Sequence, residues 1–358
     1  MPVIASAATS LPEHRYAQGE ITEAFADLII HEAGASPQTR DVIRRTHEAT
    51  TVEARHLVLT LPEYEPLDNF GKANDVFLRE APPLAAQAVQ DALDRAGLRP
   101  EDVDVIASTT VTGVAVPSID ARLVPILGLR SDVRRLPLMG LGCVAGASGL
   151  ARVSEVLAGD PDAVAVLVSV ELCSLTLQHD DVSMANIVAS GLFGDGAAAV
   201  VLVGDRRADD LGLKGPKVLG SHAHFFADTE RVMGWDVGSS GLRVVLSPEV
   251  PALVAAEMAD VTNTLLHAHD LRVADVSTWV AHSGGPKVLI ALEDALGLEA
   301  SATELTWRSL REAGNLSSAS VLDVLRRTLE INPPASGEPA VVVAMGPGFC
   351  AELVLLEW

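Results

Sequence analysis

Leu98-Arg99-Pro100-Glu101-Asp102-Val103 is answered 173 positions later by Leu271-Arg272-Val273-Ala274-Asp275-Val276, with Leu-Arg, Asp and Val at the same spacing. Outward from these anchors, Gly142, Ala147, Ser148, Leu150 and Leu157 recur 172 positions on as Gly314, Ala319, Ser320, Leu322 and Leu329. Each set leads to an apolar strand-like run, 163–170 and then 340–344. Each run is followed by a glycine-rich turn into another strand, Gly194-Asp195-Gly196-Ala197 in one case and Gly346-Pro347-Gly348-Phe349 in the other. Several matches in one order at a near-constant offset predict a duplicated unit folded as two pseudo-symmetric halves.

Local patterns define the unit. Short β-branched runs at 103–110, 163–170, 197–203, 278–281, 340–344 and 353–356 read as strands. Segments 83–96, 147–157, 248–269, 286–296 and 317–329 read as helices between them. Alternating strands and helices predict an α/β fold with buried, largely parallel strands. The polar stretch 204–215 is the expected join, giving halves of 1–210 and 211–358.

Composition removes several function classes. The chain has 358 residues, 26 Lys+Arg against 48 Asp+Glu, and a net charge of −22. Sequence-independent nucleic-acid binding and adhesion to anionic membranes both need the opposite sign. Three cysteines, at 143, 173 and 350, form neither a disulfide framework nor a C-x-x-C unit, so no structural metal is expected. The first residues lack a basic, then apolar, leader, and no apolar run approaches a membrane span, so a reduced, cytoplasmic chain is expected. A mean hydropathy of +0.28 predicts a large subunit interface, an apolar ligand tunnel, or both, with a big core as the plain alternative.

The repeat also places the reactive residues. Cys143 falls opposite Asn315 at an offset of 172, and Thr109 falls opposite His282 at 173. Cys143, in Gly142-Cys143-Val144-Ala145-Gly146, lies between a strand-like run and a helix, where the helix dipole favours a thiolate. A buried structural cysteine is the alternative for that motif alone. Cys173 reads as pocket wall or core, and Cys350 as core. His282 is delivered by an apolar strand into Ser283-Gly284-Gly285-Pro286, whose glycines leave room for a substrate carbonyl. Asn315, in Gly314-Asn315-Leu316-Ser317-Ser318, could equally cap the next helix.

Together the three support one chemistry. His accepts the thiol proton or stabilises the thiolate, and Cys attacks an acyl thioester and keeps the acyl group. His and Asn then donate hydrogen bonds to the carbonyl of a second thioester. If that thioester is malonyl, loss of CO2 leaves an enolate whose oxygen the two donors hold. The enolate carbon attacks the acyl-cysteine.

Five strings together resemble the type III polyketide synthases, the chalcone-synthase-like branch of the thiolase-fold superfamily. They are Gly142-Cys143-Val144-Ala145-Gly146, Leu192-Phe193-Gly194-Asp195-Gly196, His282-Ser283-Gly284-Gly285-Pro286, Gly314-Asn315-Leu316-Ser317-Ser318 and Gly346-Pro347-Gly348. The resemblance covers nearly the whole chain. It implies a layered αβαβα arrangement and a homodimer with a Cys143–His282–Asn315 triad. It implies loading of acyl-CoA and extension with malonyl-CoA, with no acyl-carrier protein and no cofactor besides these coenzyme A thioesters. Phe193 resembles a gatekeeper between the CoA tunnel and the cavity. Val244 stands where a second gatekeeper Phe is expected. Cys173, Glu171, Thr176, Thr112, Gly284 and Gly285 are the expected pocket residues. Val116 stands where plant enzymes carry a Met that crosses the dimer. Arg45 resembles a CoA-contacting Arg, within a basic cluster that also holds Arg44 and Arg55.

Further strings, among them Val111-Thr112-Gly113-Val114-Ala115-Val116-Pro117 and Met233-Gly234-Trp235-Asp236-Val237-Gly238, resemble actinobacterial, mycobacterial-type long-chain alkylpyrone synthases. That implies a fatty acyl-CoA starter, extension with malonyl-CoA or methylmalonyl-CoA, and release of an alkyl α-pyrone. The alternatives are an alkylresorcinol-forming synthase, a β-ketoacyl-carrier-protein synthase III making one condensation, a Cys-His-Asn thioester hydrolase, or an inactive partner subunit of the same fold.

Overall fold

The computed structural model describes residues 1–358. The first half of the chain runs β1 (Val3–Ser10), β2 (His14–Ala17), α1 (Gln18–Glu32), α2 (Pro37–Glu48), β3 (Ala54–Leu57), α3 (Phe70–Ala96), β4 (Val105–Thr110), α4 (Ile119–Leu127), β5 (Arg134–Met139), α5 (Ala145–Gly159), β6 (Val164–Leu172), α6 (Met184–Leu192), β7 (Asp195–Val203) and α7 (Asp205–Leu211). The second half runs β8 (Lys217–Phe225), β9 (Met233–Gly238), β10 (Gly241–Leu246), α8 (Val250–His267), β11 (Thr278–Ala281), α9 (Pro286–Leu296), α10 (Glu304–Ala313), α11 (Ser318–Ile331), β12 (Pro339–Gly346) and β13 (Cys350–Glu357).

The duplication is visible in the strand order, β11-β12-β13-β8-β1-β7-β6-β4-β5. On one side β4 and β6 are parallel, and β6–β7 and β7–β1 antiparallel. On the other, β11 and β12 are parallel, and β12–β13 and β13–β8 antiparallel. The two halves of this nine-stranded sheet are joined where Val3 of β1 pairs with Lys217 of β8. The expectation of largely parallel strands is thus overturned: only β4–β5, β4–β6 and β11–β12 are parallel. The reason is local. Gly346 pairs with Cys350 across a three-residue turn, and so short a connection can only return the chain antiparallel.

Side-chain alternation assigns each strand face to a layer. Val164, Val166 and Val168 of β6 pack in a core with α3, whereas Ala165 and Leu167 face α5 and α11. Val342 and Ala344 of β12 face the same two central helices, and Val341 and Val343 face α8 and α9. Three cores separated by the two halves of the sheet give the αβαβα layering. Strands so covered are apolar on both faces, which is why 163–170 and 340–344 read as continuous apolar runs.

Three boundaries differ from expectation. The helix expected from Pro83 begins at Phe70, because the Asn69 side chain accepts the Lys72 N–H and Ala73, Val76 and Phe77 are buried. Pro82 and Pro83 lie inside it. The polar join holds the short helix α7, closed by Gly212 at φ +65°. The strands β8, β9 and β10 are not among those the sequence patterns predict.

The two central helices meet backbone to backbone. A Cβ on Gly146 would lie 2.3 Å from the Ser318 carbonyl oxygen, whereas one on Gly159, at the far end of α5, would meet nothing within 4 Å. Gly146→Ala is therefore expected to lower unfolding free energy by about 1–3 kcal/mol. Gly159→Ala should be neutral or stabilising by up to about 1 kcal/mol. Urea unfolding of the two variants checks the contrast.

Candidate active site

Cys143 lies in a single turn, Gly142–Val144, just ahead of α5, and is tightly enclosed. Gly142, at φ +57°, would drive a Cβ to 2.6 Å from Pro347 Cγ. Gly346 would place one 2.7 Å from the Val144 nitrogen. The Sγ lies 3.7 Å from Ser317 Oγ. Ser317 sits at φ +50°, in the left-handed region, within the turn that opens α11. Strain in a buried non-glycine residue beside a reactive atom is a mark of a functional site.

Asn315 is fixed on both sides. Its Oδ1 accepts the Ser317 N–H at 2.8 Å and the Ser320 hydroxyl at 3.3 Å. The Nδ2 hydrogens therefore remain as its free donors. Its backbone N–H donates to Leu192 O at 2.9 Å, and its carbonyl accepts the Gly194 N–H at 3.0 Å, clipping it to Phe193. The alternative of Asn315 as a plain helix cap is not realised, since the α11 N-cap is Ser317. His282 follows β11 directly, with its N–H donating to Val343 O at 2.8 Å. Its Nδ1 is buried and unpartnered, and Gly284 packs close to the ring.

Cys143, His282 and Asn315 line one small chamber of about 50 Å³, with Ser317, Met345 and Pro347. Burial pushes the Cys143 thiol up to about 12, and nearby Glu171 adds to the rise, while the Ser317 hydroxyl opposes it. Burial pushes the His282 imidazole down to about 4. Desolvation thus outweighs the helix dipole, and the expected standing thiolate is not favoured by Cys143's surroundings alone.

A second cavity, of about 430 Å³, adjoins the chamber. Phe193, Trp235 and Val244 line both. Trp235 and Val244 are directly opposed on the β9–β10 ribbon. Cys173 and Thr176 stand in the wall of the larger cavity, as expected, and Gly284 in that of the chamber. Cys350 is half-buried at the start of β13, with Sγ 3.5 Å from Pro347 O.

Several expected pocket residues lie elsewhere. Thr112 and Glu171 line neither cavity. Thr112 donates to Glu171 at 2.8 Å, and Glu171 accepts Ser318 Oγ at 2.5 Å and Ser317 Oγ at 3.3 Å, so the pair braces the turn beside Cys143. Gly285 adopts φ +129° against Leu192 and lines neither cavity. Val116 is 90% exposed and far from lining any cavity of its own chain. The basic cluster divides. Arg44 is held by Glu23 at 2.7 and 2.9 Å. Arg45 is exposed and bonded only to the Asp41 carbonyl. Arg55 is 2% exposed and lines the larger cavity, so its expected place at a CoA entrance is corrected. Burial hid it from sequence reasoning, because buried Arg is rare. Trp235 and Ser317 were also missed as site residues.

The family model described as chalcone and stilbene synthases, N-terminal domain, matches residues 2–206, and the corresponding C-terminal model matches 217–357. A 1,3,6,8-tetrahydroxynaphthalene synthase of Streptomyces peucetius subsp. caesius is 49% identical over 358 residues, covering 99% of this chain and 93% of that protein. A phloroglucinol synthase of Pseudomonas fluorescens is 31% identical over 348 residues, covering 97% and 96%. Among solved structures, the tetrahydroxynaphthalene synthase of Streptomyces coelicolor A3(2), a bacterial type III polyketide synthase, superposes with a TM-score of 0.91 at 31% identity, covering 99% of each chain.

The proton states yield a test. In His282→Ala, Cys143 keeps the burial that raises it and loses its only proton acceptor in the chamber. Alkylation of Cys143 by iodoacetamide at neutral pH should slow by about ten-fold or more, the factor of a shift of one pKa unit. Its midpoint should move upward, towards the value burial sets. Equal rates and pH profiles in the two proteins would remove His282 from thiol activation.

Proposed function

The chain belongs to the chalcone and stilbene synthase family, the type III polyketide synthases, which are acyltransferases working on coenzyme A thioesters, and from that premise we propose that Cys143, His282 and Asn315 divide the reaction among them. Cys143 attacks an acyl-CoA, the bond from acyl carbon to CoA sulfur breaks, and the thiol proton, relayed by His282, leaves with the CoA thiol. His282 and Asn315 then donate N–H groups to the thioester oxygen of malonyl-CoA. Loss of CO2 leaves an enolate held by the same two donors. Its carbon bonds to the acyl carbonyl and expels the Cys143 sulfur. Decarboxylation supplies the carbanion, so the cycle needs no metal, separate cofactor or acyl-carrier protein. The observation that carries this reading is that the three side chains share one enclosed chamber with a much larger cavity behind it.

The larger cavity receives the growing chain. Its wall carries the exposed carboxylates Asp27, Glu32 and Glu65, which repel the phosphates of CoA, so the coenzyme itself is held elsewhere. The product proposed first is a polyhydroxylated aromatic ring system built from malonyl units. It follows the names of the tetrahydroxynaphthalene and phloroglucinol synthases, both of which denote carbocycles with oxygen on alternate carbons. The alkylpyrone made from a fatty acyl starter is the second reading, favoured by the apolar character of the same cavity, where 13 of 23 lining residues are hydrophobic. A homodimer is proposed through the β5 end of the sheet, where Val116, Ile126 and Met139 are exposed at 90%, 53% and 64%.

Incubation with malonyl-CoA alone, followed by mass spectrometry, separates the products. Aromatic tetraol formed without any starter supports the first reading; dependence on palmitoyl-CoA, with alkylpyrone formed, replaces it by the second. A single β-ketoacyl product, or free acid alone, would overturn both. Cys143→Ala should form no acyl-enzyme and no product. Asn315→Ala should slow CO2 release from malonyl-CoA by ~10²–10³-fold, the factor of one lost oxyanion donor. Trp235→Ala joins the two cavities, and longer products are expected from the same substrates by mass spectrometry.

A further inference from the structure

Arg55 is the outstanding anomaly of the larger cavity. It is 2% exposed, yet only two arms of its guanidinium are occupied, both by neutral acceptors. The Nε–H donates to Gln18 Oε1 at 3.1 Å, and Nη1 donates to the Phe193 carbonyl at 2.7 Å. Nη2 is buried and has no partner. No carboxylate forms an ion pair with it. Asp195, the nearest attracting charge, is committed to the Val58 and Ser174 N–H groups at 2.8 Å each and to the Ser174 hydroxyl at 2.5 Å. Burial lowers Arg55 to about 10, so the guanidinium is still a cation at neutral pH. Asp195 offsets that burial in part without an ion-pair contact, and one arm of a buried cation is left without an acceptor, which is costly.

The surroundings say what would supply that acceptor. Arg55 shares the cavity wall with Tyr64, Cys173, Ser174 and Phe193. Tyr64 and Ser174 are already engaged, the two hydroxyls 2.7 Å apart, and Leu59 N–H donates to Tyr64. Nη2 is thus a buried charged donor in this part of the wall without an acceptor. Through Nη1 the same guanidinium holds the backbone of Phe193, which stands between the cavity and the chamber, so a chain passing Phe193 comes alongside Arg55. A saturated alkyl tail offers no oxygen there. A poly-β-keto chain offers one on every second carbon, and its 1,3-dicarbonyl units ionise readily to enolates.

We propose that Arg55 binds an enolate oxygen of the poly-β-keto chain in the larger cavity and thereby directs ring closure through carbon and away from lactone formation. The inference rests on the polyketide-synthase reading and adds to it a residue that selects the product. An enolate has two nucleophilic ends. When its oxygen is held by a charge-assisted hydrogen bond, that end is less nucleophilic and the carbon end closes the ring. In closure onto the thioester, the new C–C bond forms as the C–S bond to Cys143 breaks. The proton lost from the chain's methylene ends on the Cys143 sulfur. If oxygen attacked instead, the same C–S bond would break and a pyrone would leave. Arg55 therefore decides between products and not whether the chain is made.

The test compares the full-length wild type with Arg55→Lys and Arg55→Met. Three readouts are taken on each: acylation of Cys143 by intact mass, CO2 release from malonyl-CoA, and the ratio of carbocyclic to lactone product. The ratio should fall about ten-fold or more in Arg55→Met, the loss of one hydrogen bond to a charged group. Acylation and CO2 release should fall far less. Guanidinium chloride well below denaturing concentrations should restore the ratio in Arg55→Met, and methylammonium should not. An unchanged ratio in both variants overturns the inference. So does a folded Arg55→Lys in which acylation, CO2 release and product all fall in parallel, which would make Arg55 a structural residue. A wild type that makes only lactones overturns it too. Should Arg55→Met not fold, the product ratio of Arg55→Lys decides in its place, a fall supporting the inference and an unchanged ratio overturning it. A wild type that neither takes an acyl group on Cys143 nor releases CO2 sinks the underlying reading, which is a different outcome from any of these.

Discussion

The contact on which the site depends is the one between the backbones of α5 and α11, where Gly146 leaves no gap for a side chain against the Ser318 carbonyl. Two helices that meet backbone to backbone leave their starts little freedom to shift relative to each other. Cys143 precedes one start and Asn315 the other, so the contact sets their separation directly. His282 is brought in by β11, which lies parallel to β12 over the same central helices. The chamber is therefore a property of the middle layer, and both halves of the chain are needed to make it.

Dehydration of that layer governs its chemistry. The buried Glu171 carboxyl accepts from Ser318, Thr112, Thr110 and the Val111 N–H, and burial raises its pKa. It holds the Ser317 hydroxyl next to Cys143. A second carboxyl, Asp195, is raised to about 6 by burial and anchors Ser174 in the wall of the larger cavity. Each is satisfied by several hydrogen bonds, as buried polar groups must be. Against that background the unpartnered Nη2 of Arg55 and Nδ1 of His282 stand out, one residue lining the larger cavity and the other the chamber.

Much of this is legible in the sequence because duplication leaves periodic traces. The segments 278–281 and 286–296 coincide with β11 and α9, and the offset of 172 carries the first residue of α5, Ala145, onto Ser317, the N-cap of α11. Cys143, His282 and Asn315 are picked out because Gly142, Gly284 and Gly314 lie within two residues of them, where neighbouring groups pack close. What cannot be read is set by tertiary context. The β9–β10 ribbon is half-exposed and lacks a continuous apolar run, so nothing in its pattern marks Trp235. Strand direction escapes the same reading because patterning reports burial and not orientation. Arg55 looks in the sequence like part of a surface cluster with Arg44 and Arg45, yet it lies on β3, a short strand buried at Ala54, Arg55 and Leu57 alike.

The β9–β10 ribbon forms a two-stranded sheet of its own, outside the nine-stranded one, and it supplies Trp235 and Val244 to the partition between the cavities. The bulk that limits the interior is thus hung on a hairpin outside the main sheet, which meets the α8–α9 core at its Met233–Leu246 end. Descendants of such a scaffold can drift from short to long molecules by exchanging side chains on one ribbon, leaving the bond-forming apparatus and its thermodynamic foundation as they were.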